Sequence, residues 1–128
     1  MSVERDAVAQ WLDDYIAAWK SYDRDSILAL FSDDVSYRYR PHGDEINGSD
    51  AVAASWLEDD PDEPDTYDAD YQVIALDGDI AVAVGTSTYL TEAGGPVDKV
   101  FDNCFVMRFE ADRRCVEFTE FFIERPHG

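Results

Sequence analysis

The sequence predicts one α+β domain, and three observations carry that prediction. Its 128 residues suit one domain with one core, since domains commonly hold roughly 100–150 residues. The N-terminal part repeats apolar residues at three- and four-residue steps, the period of amphipathic helices. The second half alternates apolar with polar residues between short turns, the pattern of antiparallel strands.

Val8, Trp11, Leu12, Tyr15, Ile16 and Trp19 form the apolar stripe of a first helix, with Ser2 as its N-cap. Asp23 or Asp25 caps a shorter helix carrying Ile27, Leu28 and Phe31, and Ser32-Asp33-Asp34 breaks it. Val35, Tyr37 and Tyr39 then alternate with Ser36, Arg38 and Arg40, a half-buried strand ended by Pro41. Asn47-Gly48-Ser49 turns into a third helix bearing Val52, Ala53, Trp56 and Leu57. Glu58 to Asp65, with two prolines and six acids, is a solvated loop. Tyr67–Leu76 and Ile80–Leu90 read as strands joined by the hairpin signal Asp77-Gly78-Asp79. Glu92 to Pro96 is the next turn, and Lys99–Glu110 with Arg114–Glu124 makes a final hairpin around Ala111-Asp112. No internal repeat and no second domain is visible; residues 1–128 form one unit.

The composition excludes several function classes. A 45% hydrophobic and 13% aromatic content suffices for a core and argues against disorder. No apolar run approaches the roughly 20 residues that span a bilayer, and MSVERDAVAQ lacks the basic-then-apolar pattern of a secretory signal. The expected location is the cytoplasm. The net charge of −19, from 29 acidic and 10 basic residues, removes nucleic acid and anionic membranes as partners, because phosphate binding needs Lys/Arg patches. Not one Lys or Arg occurs between Pro41 and Asp98. Such a surface suits a high-salt cytoplasm, where screening relieves self-repulsion, and equally a merely acidic protein in ordinary surroundings. Cys104, Cys115, His42 and His127 show no metal-ligand spacing, so no metal site is expected. There is no Gly-rich phosphate loop and no nucleophile elbow.

The Tyr15…Trp19 stripe, Asp23, Leu28-Ala-Leu-Phe-Ser-Asp-Asp34, Tyr37…Pro41, Gly48 and the closing Glu117-Phe-Thr-Glu-Phe-Phe-Ile-Glu124 resemble the nuclear transport factor 2-like superfamily, in its SnoaL-like branch. The resemblance spans nearly the whole chain. It implies a cone-like fold, with N-terminal helices packed on a strongly curved, mostly antiparallel sheet that encloses a pocket. Ketosteroid isomerase-like proteins, limonene epoxide hydrolase-like proteins and polyketide cyclases share it, so activity must be tested residue by residue. Tyr15 matches the helix-one tyrosine of the isomerase pattern, but Tyr39 stands where its general-base Asp is expected. The epoxide hydrolase pattern places an Arg between two carboxylates; Glu120 is similar to its last-strand acid, while Ile80–Leu90 offers Thr86, Ser87 and Thr88 and neither Arg nor Asp. The cyclase resemblance asks for one last-strand carboxylate, which Glu120 supplies.

The residues themselves point to the same carboxyl. A symmetric two- or four-residue turn around Ala111-Asp112 pairs Glu110 with Arg113, Met107 with Val116, Phe105 with Phe118, Asn103 with Glu120, and Phe101 with Phe122. The last four pairs share one face, apolar except for Asn103 and Glu120 in its middle. An ionised carboxylate there is costly, so Glu120 has a raised pKa or a dedicated partner. A carboxyl so placed can act as acid or base near neutral pH; alternatively, Glu120 and Asn103 simply satisfy each other. An odd-length turn would dissolve the pair. Tyr39 is a candidate donor to a substrate oxygen. Tyr15, Trp19, Tyr37, Trp56, Phe105, Phe118 and Phe122 are candidate pocket wall, and His42 a candidate at its mouth. In this register Cys104 faces Thr119 and Cys115 faces Arg108, offset by roughly 13 Å, too far for a disulfide.

Val100, Cys104, Val106, Phe121 and Ile123 make the opposite face apolar too. A sheet apolar on both faces needs cover on both, so a homodimer through the sheet is expected, as the resemblance also implies. Three readings remain open: cofactor-free acid/base chemistry on a small apolar molecule, non-catalytic binding of such a molecule, or a dimerisation or adaptor domain.

Overall fold

The computed structural model describes residues 4–21, 23–38, 45–58, 67–92 and 94–126. Along the chain come α1 (Arg5–Ser21), α2 (Arg24–Leu30), β1 (Phe31–Arg38), β2 (Ile46–Asn47), α3 (Ser49–Glu58), β3 (Tyr67–Asp77), β4 (Ile80–Leu90), β5 (Val97–Phe109) and β6 (Cys115–Glu124). The architecture is α+β: three helices and a six-stranded sheet ordered β2-β1-β6-β5-β4-β3. Every neighbouring pair is antiparallel except β1 with β6, which run parallel. No helix among the described residues is long and apolar enough to cross a membrane.

The helices cover one face of the sheet. Val8, Trp11, Leu12, Tyr15 and Ala18 are the buried stripe of α1. Trp11 stacks edge-on against Phe31 and Phe109, and Tyr15 lies over Phe105 and Phe118. Each such buried side chain contributes about 1.5–3 kcal/mol relative to exposure. The N-cap expected at Ser2 falls outside the described residues. Asp23, not Asp25, caps α2, accepting from the Ser26 backbone N–H at 3.2 Å and the Ser26 hydroxyl at 2.7 Å.

The first half of the chain departs from the sequence reading at the start of β1 and in the short strand β2. Phe31 leaves the helix and opens β1 with extended backbone, φ −122° and ψ 148°. The Trp11 indole N–H donates to the Leu30 carbonyl at 2.8 Å, satisfying a helix-end acceptor in the core and letting the chain pass directly into strand. The two-residue β2 is too short to show a period; it pairs Ser36 with Asn47 and Tyr37 with Ile46. Gly48 follows at φ +94°, a left-handed conformation that favours glycine, and α3 begins.

The final hairpin corrects the expected register. Arg113 takes φ 69°; its N–H bonds the Glu110 carbonyl, and the Glu110 N–H bonds the Arg114 carbonyl, both at 2.9 Å. Ala111, Asp112 and Arg113 therefore form a three-residue loop, and this odd length slides β6 by one position. Opposite Arg108 and Phe109, strand β6 carries one extra residue, Val116, in a bulge that slides it by one more. The partners are Phe101–Glu124, Asn103–Phe122, Phe105–Glu120 and Met107–Phe118. Asn103–Glu120 and the other expected pairs are thus displaced by two residues. Two odd offsets make an even one, so every side chain keeps its expected face. Cys104 stands opposite Phe121 and Cys115 opposite Phe109, and both thiols are free.

Candidate functional site

Glu120 sits on the helix-covered face, with Phe105 opposite it on β5. Asn103, 7% exposed, is its diagonal neighbour, and the Asn103 amide nitrogen donates to Glu120 Oε2 at 2.8 Å. The other end of the amide is held as well: the Ser87 hydroxyl donates to Asn103 Oδ1 at 2.8 Å. Ser87 is buried on β4, and on the neighbouring β3 the Tyr67 and Tyr71 hydroxyls lie 2.7 Å apart. Glu120, Asn103 and Ser87, on three adjacent strands, form one polar track across an otherwise apolar surface, and the Tyr67–Tyr71 pair stands on the next strand, β3.

Burial sets the chemistry of this track. It pushes the Glu120 carboxyl up to about 7, and the Asn103 bond pulls it back part of the way. Burial likewise raises Tyr15, Tyr67 and Tyr71, so these phenols keep their protons at neutral pH and serve as donors. A carboxyl near 7 beside neutral phenols is equally able to take a proton or to give one.

Of the residues expected at the site, Tyr15, Trp19, Tyr37, Trp56, Phe105 and Phe118 form one aromatic cluster beside this track. Trp19 stacks on Trp56 at 4.1 Å, Tyr37 on Phe118 at 4.8 Å, and Tyr15 reaches Trp56 and Phe105, each at 5.4 Å. Phe122 shares the face but lies toward the strand end, 38% exposed, against Phe101. Tyr39 and His42 lie outside the described residues. Arg108 lies between Asp79 and Glu117, at 3.5 and 3.4 Å, yet it points to the sheet face opposite Glu120. Among the described residues, no three His, Cys, Asp or Glu side chains converge as metal ligands.

The sequence reading missed Ser87, Tyr67 and Tyr71 as site residues. Their signal was strand parity: Ala81, Ala83, Gly85 and Ser87 alternate on one face of β4, and Tyr67 and Tyr71 do so on β3. Gly85 makes room for the arrangement. A Cβ there would run into the Asp70 carbonyl and stand 2.7 Å from both Cα and a ring carbon of Tyr71. The missing side chain lets the Tyr71 ring lie across β4 toward Phe105, 4.7 Å between centroids.

With this geometry in view, the comparisons define a class. The family model described as a SnoaL-like domain matches residues 12–118, and the chain belongs to that family. No curated protein matches it in sequence. Among solved structures it is similar to a nuclear transport factor 2-like protein of unknown function from Burkholderia xenovorans LB400, at 15% identity and TM-score 0.70, covering 96% of this chain and 88% of the other. It is similar to an LEH-like epoxide hydrolase from M. tuberculosis, at 18% identity and TM-score 0.69 over 94% and 86%. A protein assigned as a SnoaL-like polyketide cyclase, from Shewanella putrefaciens CN-32, aligns at 14% identity and TM-score 0.72 over 89% and 78%. At such identities the likeness shows the fold.

Proposed function

We propose that this protein carries out cofactor-free acid/base chemistry, of isomerase, cyclase or hydrolase type, on a small, largely apolar molecule. Glu120 moves the proton, and Asn103 orients it and helps hold a substrate oxygen. The carrying observation is a carboxyl raised to about 7 by burial, with an uncharged amide as its hydrogen-bond partner, on an aromatic-lined face. The family's fold neighbours include an epoxide hydrolase, which fits such chemistry, but this chain's acid stands with Asn103 and Ser87 rather than with an Arg.

Glu120→Gln tests it. A panel of small apolar ketones, esters and epoxides is first screened for binding by thermal shift, and turnover of each binder is then measured. The variant is expected to keep affinity within about threefold and to lose about 10²- to 10⁴-fold in turnover, the usual share of a positioned acid or base. Equal turnover by both proteins would leave a binding or adaptor domain.

A homodimer through the outer sheet face belongs to the same proposal. Ile74, Val106, Phe121 and Ile123 are 55%, 38%, 42% and 73% exposed there. These apolar side chains lie on the sheet face opposite Glu120, and exposed apolar surface of this kind is what a second subunit covers.

A further inference from the structure

We propose that Ser87 is a positioning residue: its bond to Asn103 fixes the amide nitrogen on Glu120 Oε2 and thereby assigns Oε1 as the oxygen that exchanges the proton. The proposal deepens the reading of Glu120 as the proton-moving group and rests on it.

The three side chains meet along diagonals of the sheet. Ser87 stands opposite Phe101 and Asn103 opposite Gly85 in the β4–β5 ladder, while Asn103 faces Phe122 and Glu120 faces Phe105 in the next. Neither Gly85 nor Phe122 offers the amide a polar side chain. Its orientation is therefore set by the hydroxyl at one end and the carboxyl at the other, each at 2.8 Å. Ser87 and Asn103 are both buried, so the two bonds are made within the protein rather than to solvent.

Donor arithmetic fixes the rest. An amide has a donor end and an acceptor end, and an ionised carboxylate only accepts. The Ser87 proton occupies the amide oxygen, so the nitrogen is the end that Glu120 receives, on Oε2. Among the described residues the amide is the carboxyl's hydrogen-bond partner, and it leaves Oε1 to the substrate. In the transfer a substrate C–H or O–H bond breaks, its proton bonds to Oε1, and the electron pair stays on the substrate. Oε2 then becomes the carbonyl oxygen of the acid and still accepts from Asn103. None of the three side chains turns in either direction of the transfer, as a preorganised site requires.

Without the Ser87 hydroxyl the amide is held at one end only. Against the ionised carboxylate its nitrogen still faces Glu120. Against the protonated acid it is free to turn about its Cβ–Cγ bond and accept the acid proton with its oxygen. That alternative stabilises the protonated form alone, so the carboxyl becomes a weaker acid.

The titratable groups facing Glu120 are Tyr15 from α1, and Tyr67 and Tyr71 from β3. Tyr37 of β1 faces Tyr15, and Glu124 lies two positions beyond Phe122 on the same face of β6, exposed. From α2 and α3 the core receives Ile27, Leu30, Val52, Ala53 and Trp56, none of them titratable. Ser87 of β4 and Asn103 of β5 carry no charge. Replacing Ser87 leaves every charged or titratable neighbour in place, so a change in the Glu120 titration reads the hydrogen bond.

The test is an NMR titration from pH 5 to 9 on protein labelled with 13C at the glutamate carboxyl carbons and 15N at the asparagine side-chain amides. In the wild type the two Asn103 Hδ2 signals are expected to stay distinct at every pH, one of them following the Glu120 midpoint. In Ser87→Ala the midpoint rises by about half to one pH unit, the worth of one neutral hydrogen bond. On the acid side of that midpoint the Hδ2 signal bonded to Glu120 moves upfield to the position of a free amide. Ser87→Thr, which keeps a hydroxyl, restores both wild-type readings. A midpoint in Ser87→Ala that is unchanged or lower, or Ala and Thr variants that behave alike, would overturn the role of Ser87 and leave the acid/base reading intact. A wild-type Glu120 carboxyl that does not titrate in this range would overturn both.

Discussion

Asn103 and Glu120 are hydrogen-bonded at 2.8 Å although they are not partners in the β5–β6 ladder. Phe122 stands opposite Asn103 and Phe105 opposite Glu120, so the bond runs along a diagonal. It exists because a three-residue loop and the Val116 bulge each displace β6 by one residue. Either alone would have turned Glu120 to the outer face. Together they restore the parity and bring a carboxyl and an amide within reach inside an apolar surface.

That placement makes stability depend on pH with a sign opposite to that of an ion-paired acid. The folded-state value of about 7 lies above the ordinary 4.5. Below about 4.5 the carboxyl is protonated whether folded or unfolded, and its contribution is complete. As pH rises to about 7 the unfolded chain ionises first, and stability on the order of 3 kcal/mol is lost. Glu120→Gln lacks this component. Calorimetry from pH 4 to 8 is expected to show the wild type losing ground to the variant as pH rises, and a constant difference would contradict it.

Asn103→Leu removes the donor that holds the carboxyl down. The Glu120 midpoint is expected to move above about 7, since only burial remains to act on it. The Ser87 hydroxyl loses its acceptor at the same time, at a cost of about 1–3 kcal/mol in urea denaturation. A midpoint that falls would refute the assigned role.

Gly85→Ala places a methyl group against the Asp70 carbonyl and the Tyr71 ring. Overpacking of this kind costs about 1–3 kcal/mol. The melting temperature should drop by about 5–10 °C, and the Tyr71 resonances should shift most among the tyrosines. An unchanged Tyr71 environment would show that the glycine is not what admits the ring.

Phe121→Asp puts a charge among the exposed apolar side chains of the outer face. The wild type is expected to sediment as a dimer and the variant as a monomer with an unaltered far-ultraviolet spectrum. A monomeric wild type would remove the sheet-mediated dimer.

The fold was readable because its signals are periodic. The α1 stripe from Val8 to Trp19 and the alternation along β3 to β6 survive any error in register. What escaped detection depends on single backbone angles or on neighbours distant in sequence. Arg113 adopts φ 69°, a conformation that ordinary side chains seldom take, so nothing in Glu110 to Arg114 announced an odd loop. The face shared by Asn103 and Glu120 was legible, while the reason for it was not, since two unseen offsets cancelled in parity. Tyr67, Tyr71 and Ser87 each looked like a routine strand residue. Only the β3–β4 pairing, with Gly85 opposite Tyr71, reveals that they are neighbours.

The most direct measurement is the pH titration of the Glu120 carboxyl carbon by 13C NMR, assigned by comparison with Glu120→Gln. A midpoint near 7 is the result expected of a buried carboxyl held by one amide and poised to exchange a proton. A midpoint near 4.5 would mean a well-solvated carboxylate, and the acid/base account would fall with it.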